Sequence, residues 1–133
     1  MRISVAIPTY KRPEELRRAI VSVVTQDLKP FELIVISREN ELSTNSVIDE
    51  CSNQYLHINI RHEFVQDPGF LPPIWKAIDV AKGDVLALLD DDAEAHPDWL
   101  DRMAKYYKDP NVGGVGGRYI NFFGGIKQEY APV

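Results

Sequence analysis

One cysteine, Cys51, stands among the 133 residues. An internal disulfide framework and a cysteine-built metal site are both excluded by that scarcity, and a reducing compartment fits it. Long apolar runs are missing too: none approaches the roughly eighteen residues of a membrane helix. The N-terminal stretch carries no charged region followed by an apolar run and a small-residue cleavage site. The expected setting is therefore the cytoplasm, free or peripheral to a membrane. Basic charge is in short supply. Lys and Arg number 15 against 20 Asp and Glu, a net of −5, so the basic face that tracks nucleic-acid phosphates is not expected. A single nucleotide stays open, because a metal ion held on carboxylates neutralises a diphosphate. The histidines, His57, His62 and His96, are scattered without metal-ligand spacing and read as surface or strand-edge residues. Gly113-Gly114 and Gly116-Gly117 lack a Gly-Lys-Ser/Thr ending and the G-x-G-x-x-G of dinucleotide folds. Close backbone packing is the expected reason for them. No serine sits in a nucleophile elbow.

What is present is an alternation of strands and helices. Residues 3–7 are a continuous β-favouring run, as in a strand covered on both faces. Pro8 ends it. Pro13 suits a first helical position, and Leu16, Ala19, Ile20, Val23 and Val24 make one stripe of a helix over 13–25. Residues 33–36 read as a second buried strand. A polar loop over 37–46 leads to a short predicted helix, 46–53, and a weak strand, 57–62. Asp67-Pro68-Gly69 is turn chemistry. A helix over 73–82 comes next, with Gly83 as its stop, then the most apolar strand, 85–89. Pro97 opens a last helix carrying Leu100, Met103 and Tyr107, and short strands are expected at 112–115 and 119–123. The pattern predicts one α/β domain over 1–133, a mostly parallel sheet between helices. In such sheets ligands bind beyond the carboxyl ends of the strands. That singles out Pro8-Thr9-Tyr10, Ser37-Arg38-Glu39 and Asp90-Asp91-Asp92.

The aspartate triplet is the sharpest of these. Neighbouring carboxylates about 4 Å apart repel by roughly 4 kcal/mol at a surface-like dielectric, so three at the end of a buried strand need a reason. In an extended stretch Asp90 and Asp92 face one side and Asp91 the other. Two same-side carboxylates make a hard oxygen site for Mg²⁺ or Mn²⁺ with substrate phosphates completing it. The competing account is a solvated turn that caps the next helix; the apolar strand feeding into the triplet favours the metal–phosphate site.

Several segments together carry a resemblance. Val5-Ala6-Ile7-Pro8-Thr9-Tyr10-Lys11-Arg12-Pro13 resembles the first strand and nucleotide loop of family 2 glycosyltransferases of the GT-A fold. Gln26-Asp27 with Phe31-Glu32-Leu33-Ile34-Val35-Ile36 resembles the family's second strand. Ala81-Lys82-Gly83-Asp84-Val85-Leu86-Ala87-Leu88-Leu89-Asp90-Asp91-Asp92 is similar to the segment ending in its D-x-D motif. His96-Pro97-Asp98-Trp99-Leu100 and Val112-Gly113-Gly114-Val115-Gly116-Gly117 are similar to the family's segments C-terminal to that motif. The resemblance covers nearly the whole chain, in the family's order. It implies a GT-A three-layer α/β sandwich and a nucleotide-diphosphate-sugar donor. Residues matching Pro8, Thr9 and Tyr10 lie along the nucleoside. The residue matching Asp90 reaches the ribose or sugar side, Asp91 counts among the nucleotide-sugar contacts, and Asp92 with Asp90 holds the divalent metal. Arg12 adds a cationic contact or is a solvated helix-start charge. The implied reaction is inverting transfer to an acceptor hydroxyl of a glycan, lipid or protein.

The departures are informative as well. Where the family carries an acidic pair after its second strand, this chain has Ser37-Arg38, with Glu39 and Asn40 beyond. An acid accepts from a base N–H, whereas Arg only donates, so Arg38 and Glu39 join the expected nucleotide contacts and a strong uracil preference is not expected. The family's Arg-Asn pair at the third helix is replaced by Ile74-Trp75, with Trp75 expected to pack. The family's general base lies downstream of the D-x-D region and is not recognisable here, nor is its C-terminal acceptor part. The 133 residues alone are thus expected to bind donor rather than turn it over. Tyr119, Ile120, Phe122 and Phe123 are expected to be partly bare, inviting a homo-oligomer. A binding module without turnover and a nucleotidyltransferase stay open. The latter needs a Gly-rich basic loop after the first strand, and Thr9-Tyr10-Lys11-Arg12-Pro13 has no glycine.

Overall fold

Strand β1 (Ile3–Pro8) is buried along its length up to Ile7, which requires cover on both of its faces. Side-chain alternation shows how that cover is divided. Ile3, Val5 and Ile7 enter one core with Leu16, Ile20 and Val23, while Ala6 enters another with Ile34, Ile36 and Ala77. The computed structural model describes residues 1–123 and 126–129, and side chains through residue 121. In it β1 is flanked in parallel by β2 (Glu32–Ser37) and β4 (Val85–Leu88), and β3 (Ile60–Phe64) pairs in parallel with β2, giving the order β3-β2-β1-β4.

Helices α1 (Pro13–Val24), α2 (Leu42–Gln54) and α4 (Trp99–Tyr106) feed the first core through residues such as Leu16, Ile48 and Leu100. Helix α3 (Leu71–Val80) covers the other face through Ala77. The expected α/β architecture, a parallel sheet between helices, is what forms. Strands β5 (Ile120–Phe123) and β6 (Ile126–Glu129) make a separate antiparallel pair. Tyr119 and Ile120 are exposed, as expected; the side chains of Phe122 and Phe123 lie outside the described ones. Among the described residues no helix is long and apolar enough to cross a membrane.

Several expectations need correction. Helix α2 starts at Leu42 rather than 46: its polar first turn reads as a loop, yet Thr44, Val47, Ile48 and Cys51 are buried along it, so tertiary packing overrides local preference. The third strand moves to Ile60–Phe64 because its register sets Ile60 against Leu33 and Phe64 against Ser37. Helix α3 begins at Leu71, which puts Pro72 and Pro73 in the first turn, where a missing N–H costs nothing. Residues 112–115 form no strand. A Cβ on Gly113, Gly114 or Gly116 would meet nothing within 4 Å, so close packing does not explain those glycines. Gly83 is where close packing applies. A Cβ there would sit 2.7 Å from Arg2 O, Ser4 N and Ser4 Oγ, so this residue lets the chain press against β1 rather than capping a helix. Trp75, expected to pack, is 65% exposed, and with Leu71 and Ile78 it leaves one stripe of α3 open to solvent.

A buried polar cluster closes the amino end of the sheet, away from the site. The Glu32 carboxylate is fully buried and accepts from Ser4 Oγ (2.7 Å), the Lys82 N–H (2.7 Å) and Arg61 (2.8 Å). Burial alone would raise its pKa, but these three donors outweigh it and hold it below the ordinary glutamate value.

Candidate functional site

All four strands of the sheet run the same way, so their carboxyl ends meet at one rim. There a cleft of about 690 Å³ opens. Pro8, Thr9, Tyr10 and Arg12 line it from the end of β1, Ile36 and Arg38 from β2, and Asp90, Asp91 and Asp92 from β4. Of the nucleotide and metal residues expected from the sequence, all but one thus come together. The exception is Glu39, which is exposed, does not line the cleft, and offers its backbone carbonyl to Asn45.

The triplet sits in a turn, closed by the Ala93 N–H donating to Asp90 O at 3.1 Å, rather than in the extended stretch expected. Asp90 and Asp92 are exposed, and Asp91 is 8% exposed. Asp91 Oδ2 accepts from the Thr9 hydroxyl at 2.9 Å and from the Tyr10 N–H at 3.4 Å, and Arg12 lies 3.4 Å from its Oδ1. Asp91 is therefore a tie between the ends of β4 and β1, and its oxygens are already engaged. Arg12 also donates to Asp92 Oδ2 at 3.0 Å, so it bridges two carboxylates rather than standing free at the helix start. The Asp90 carboxylate has no hydrogen-bond or ion-pair partner among the described residues.

The loop that carries Arg12 is sharply bent. Lys11 has φ 53°, a left-handed conformation rare for a non-glycine residue. Its N–H donates to Glu41 Oε1 at 2.6 Å, which anchors the loop to the start of α2. On the other side, α1 holds the segment C-terminal to the triplet. The buried Gln26 side chain donates to His96 O at 2.7 Å and accepts from the Leu100 N–H at 3.0 Å, and Ser22 Oγ accepts from the Ala95 N–H. Glu94, also near the triplet, is exposed.

Beyond β2, the Arg38 guanidinium lies 4.8 Å from the Tyr10 ring centroid, a cation–π contact. Nearby, Ser37 Oγ and His62 Nε2 are 2.7 Å apart, and burial pushes the His62 imidazole below its ordinary pKa. His62 is thus half-buried and bonded rather than a plain edge residue. His57 contacts Val24 O and exposed His96 pairs with Asp98.

Sequence reasoning missed the far wall. Val65, Asp67, Pro68, Gly69 and Phe70 line the cleft from the β3 end and its loop, and Pro73 from the first turn of α3. The Asp67-Pro68-Gly69 signal was legible as a turn, and Gly69 does take φ 109°; only the strand order shows that this turn faces the cleft.

For a divalent metal, the carboxylates exposed at the β4 end are those of Asp90 and Asp92, and they would be the donors. Among the described residues no group of three or more His, Cys, Asp or Glu is placed to hold a metal by itself. Two carboxylates plus phosphate oxygens fit Mg²⁺ or Mn²⁺, which are bound in that way at phosphate sites.

Comparison with known proteins agrees with this geometry. Over 99% of its length the chain is 30% identical to the glucosyl-dolichyl phosphate glucuronosyltransferase of Haloferax volcanii, covering 42% of that protein. It thus spans about two fifths of this relative. Among solved structures it superposes on a mannosyltransferase from Pyrobaculum calidifontis, determined with GDP-Man and Mn²⁺, at TM-score 0.76, 23% identity, 84% of this chain and 34% of that one. S. aureus TarS in complex with UDP-GlcNAc gives TM-score 0.68 at 21% identity, over 90% of this chain and 37% of that one. These structural likenesses establish the shared GT-A fold. Residues 4–132 match the family described as Glycosyl transferase family 2, and with that match over nearly its full length the chain belongs to glycosyl transferase family 2.

Proposed function

We propose that the chain is the donor-binding domain of a glycosyltransferase that uses a nucleoside-diphosphate sugar and a divalent cation. One observation carries the reading: the cleft at the strand ends holds four carboxylates against two guanidiniums. A diphosphate entering such a cleft meets net negative charge, and repulsion at close range is worth several kcal/mol in a partly dry site. A divalent cation on Asp90 and Asp92 cancels that excess. When bound, it stabilises the charge that develops on the departing diphosphate.

The chain's own residues do the rest. Pro8, Thr9 and Tyr10 form the floor along which the nucleoside lies. Asp91 fixes that floor to the β4 end, so the nucleoside and diphosphate ends of the cleft keep their spacing. Arg12, drawn from Asp92, is free to contact a phosphate oxygen. The parent reaction we assign is inverting transfer to an acceptor hydroxyl, with the proton-accepting base and the acceptor site outside this cleft. Support comes from the relatives: both solved neighbours named above were determined with nucleotide sugars, one of them with Mn²⁺.

Calorimetric titration of nucleoside diphosphates with and without Mn²⁺ tests the reading. Binding that depends on Mn²⁺ and is lost in Asp92→Ala is expected. Metal-independent binding that survives Asp92→Ala would refute it.

A further inference from the structure

Two charged side chains of opposite sign line the β2–β3 end of the cleft, and neither is spoken for. The Arg38 guanidinium contacts only the face of Tyr10, and no described residue gives it a carboxylate or carbonyl partner. The Asp67 carboxylate likewise has no hydrogen-bond donor or ion-pair partner among the described residues. The two are not paired with each other either. Arg12, by contrast, is engaged at both Asp91 and Asp92. A forked donor and a forked acceptor left open around one apolar slot, walled by Ile36, Val65 and Phe70, describe a site for a flat ligand with donors and acceptors on its edges.

The position within the sheet says which part of a nucleotide this is. In the order β3-β2-β1-β4, Asp67 lies after β3 and Asp90 after β4, three interstrand steps away, or about 14 Å at about 4.8 Å per step. That is the order of length of a nucleoside diphosphate laid from base edge to terminal phosphate. The Asp90–Asp92 end takes the diphosphate in the proposed function, on which this inference rests, so the Arg38–Asp67 end takes the base.

We infer that the base is guanine, read by Arg38 and Asp67 together. Guanine carries two adjacent acceptors, O6 and N7, which match the two arms of an arginine. It also carries two adjacent donors, N1–H and N2–H, which match the two oxygens of a carboxylate. Adenine sets a donor beside N7 and so turns an N–H toward one arm of Arg38. Uracil and thymine have one N–H between two separated carbonyls, leaving one arm of each side chain unmatched. Cytosine comes nearer, with adjacent O2 and N3, but offers Asp67 a single amino group and a smaller ring to the apolar walls. Tyr10 serves as a positioning residue, holding the guanidinium plane in place before ligand arrives.

The experiment is a titration of GDP, UDP, CDP and ADP in Mn²⁺ against the 133-residue chain, Arg38→Ala and Asp67→Asn, with melting temperatures of all three. GDP is expected to bind tightest, by roughly ten- to a hundredfold over UDP, the discrimination of a well-made bidentate base contact. Each substitution is expected to collapse the GDP-to-UDP ratio by weakening GDP far more than UDP, with the melting temperature nearly unchanged. Equal affinities, or a preference for another base, would overturn the guanine assignment while leaving the donor-site reading intact. A ratio insensitive to Asp67→Asn would remove Asp67 from base recognition. If no nucleoside diphosphate bound at all, the donor-site reading and this inference would fall together.

Discussion

Asp91 accepts the hydroxyl proton of Thr9 across 2.9 Å, joining residues 82 apart in the chain. Its neighbours on either side face solvent. The three aspartates should therefore respond differently to removal. Hydrogen bonds to a charged partner are each worth about 1.5–3 kcal/mol, so Asp91→Ala is expected to lower the melting temperature by several degrees and weaken nucleotide binding with it. Asp92→Ala is expected to leave melting nearly unchanged and to abolish Mn²⁺-dependent nucleotide binding. Thermal melts paired with GDP titrations separate the two; equal melting losses would contradict the division.

In the proposed site Arg12 and a divalent cation would compete for the Asp92 carboxylate. The guanidinium sits 3.0 Å from Asp92 Oδ2, and both partners are more than half exposed on their side chains, so the pair itself contributes little to stability. Arg12→Gln should then raise the affinity for Mn²⁺ alone, by up to about tenfold for the removal of one nearby like charge. The same variant should weaken diphosphate binding in the presence of Mn²⁺. Electron paramagnetic resonance of free Mn²⁺ measures the first effect and calorimetry the second.

Glu32 makes acid stability predictable. Its pKa is lowered in the folded chain, where three donors overcome the effect of burial. The folded state therefore binds fewer protons than the unfolded one in the acid range. The resulting stabilisation is fully present above the ordinary glutamate value, about 4.3, and is lost as pH falls through the lower folded value. Urea unfolding at a series of pH values should show a steeper loss for the wild type than for Glu32→Gln, by up to about 1.4 kcal/mol per pH unit for one proton. At neutral pH Glu32→Gln should be the less stable of the two.

Gln26 is a second structural anchor. Its amide joins the end of α1 to His96 and to the first turn of α4. Gln26→Leu would leave the buried Leu100 N–H without its acceptor, at about 1–3 kcal/mol, while the His96 carbonyl keeps the Trp99 N–H. Lower denaturation midpoints and faster exchange of the Leu100 amide are the expected results.

Much of the site is readable in the sequence, for identifiable reasons. The triplet is legible because an apolar strand runs straight into it, although a turn, and not strand alternation, decides how its three carboxylates are placed. Arg38 is legible because it comes directly after a strand. Asp67 is not: its turn chemistry is a complete local explanation, and its place in the cleft depends on β3 lying beside β2. Glu32 also escapes notice, because its burial is justified by Ser4, Arg61 and Lys82, which are 28, 29 and 50 residues away. The start of α2 is hidden because polar residues at 43–45 carry no helical stripe, and contact with α1 decides it.

The pairing of β1 with β4 sets Ala6 against Leu88, and the Thr9–Asp91 contact extends that pair into the cleft. In time, this makes the cleft wait on β4 and the triplet that follows it. At synthesis rates of about 5–20 residues per second, the 82 residues between the two partners take about 4–16 seconds to emerge. Throughout that interval one edge of β1 has no strand to meet, and Val5 and Ile7 wait on residues not yet made. Pairing at such separation also costs loop-closure entropy before any contact rewards it. Hydrogen exchange during refolding should accordingly protect the β1–β2 amides before those of Leu86 and Leu88, and ligand-binding competence should appear only with the second group.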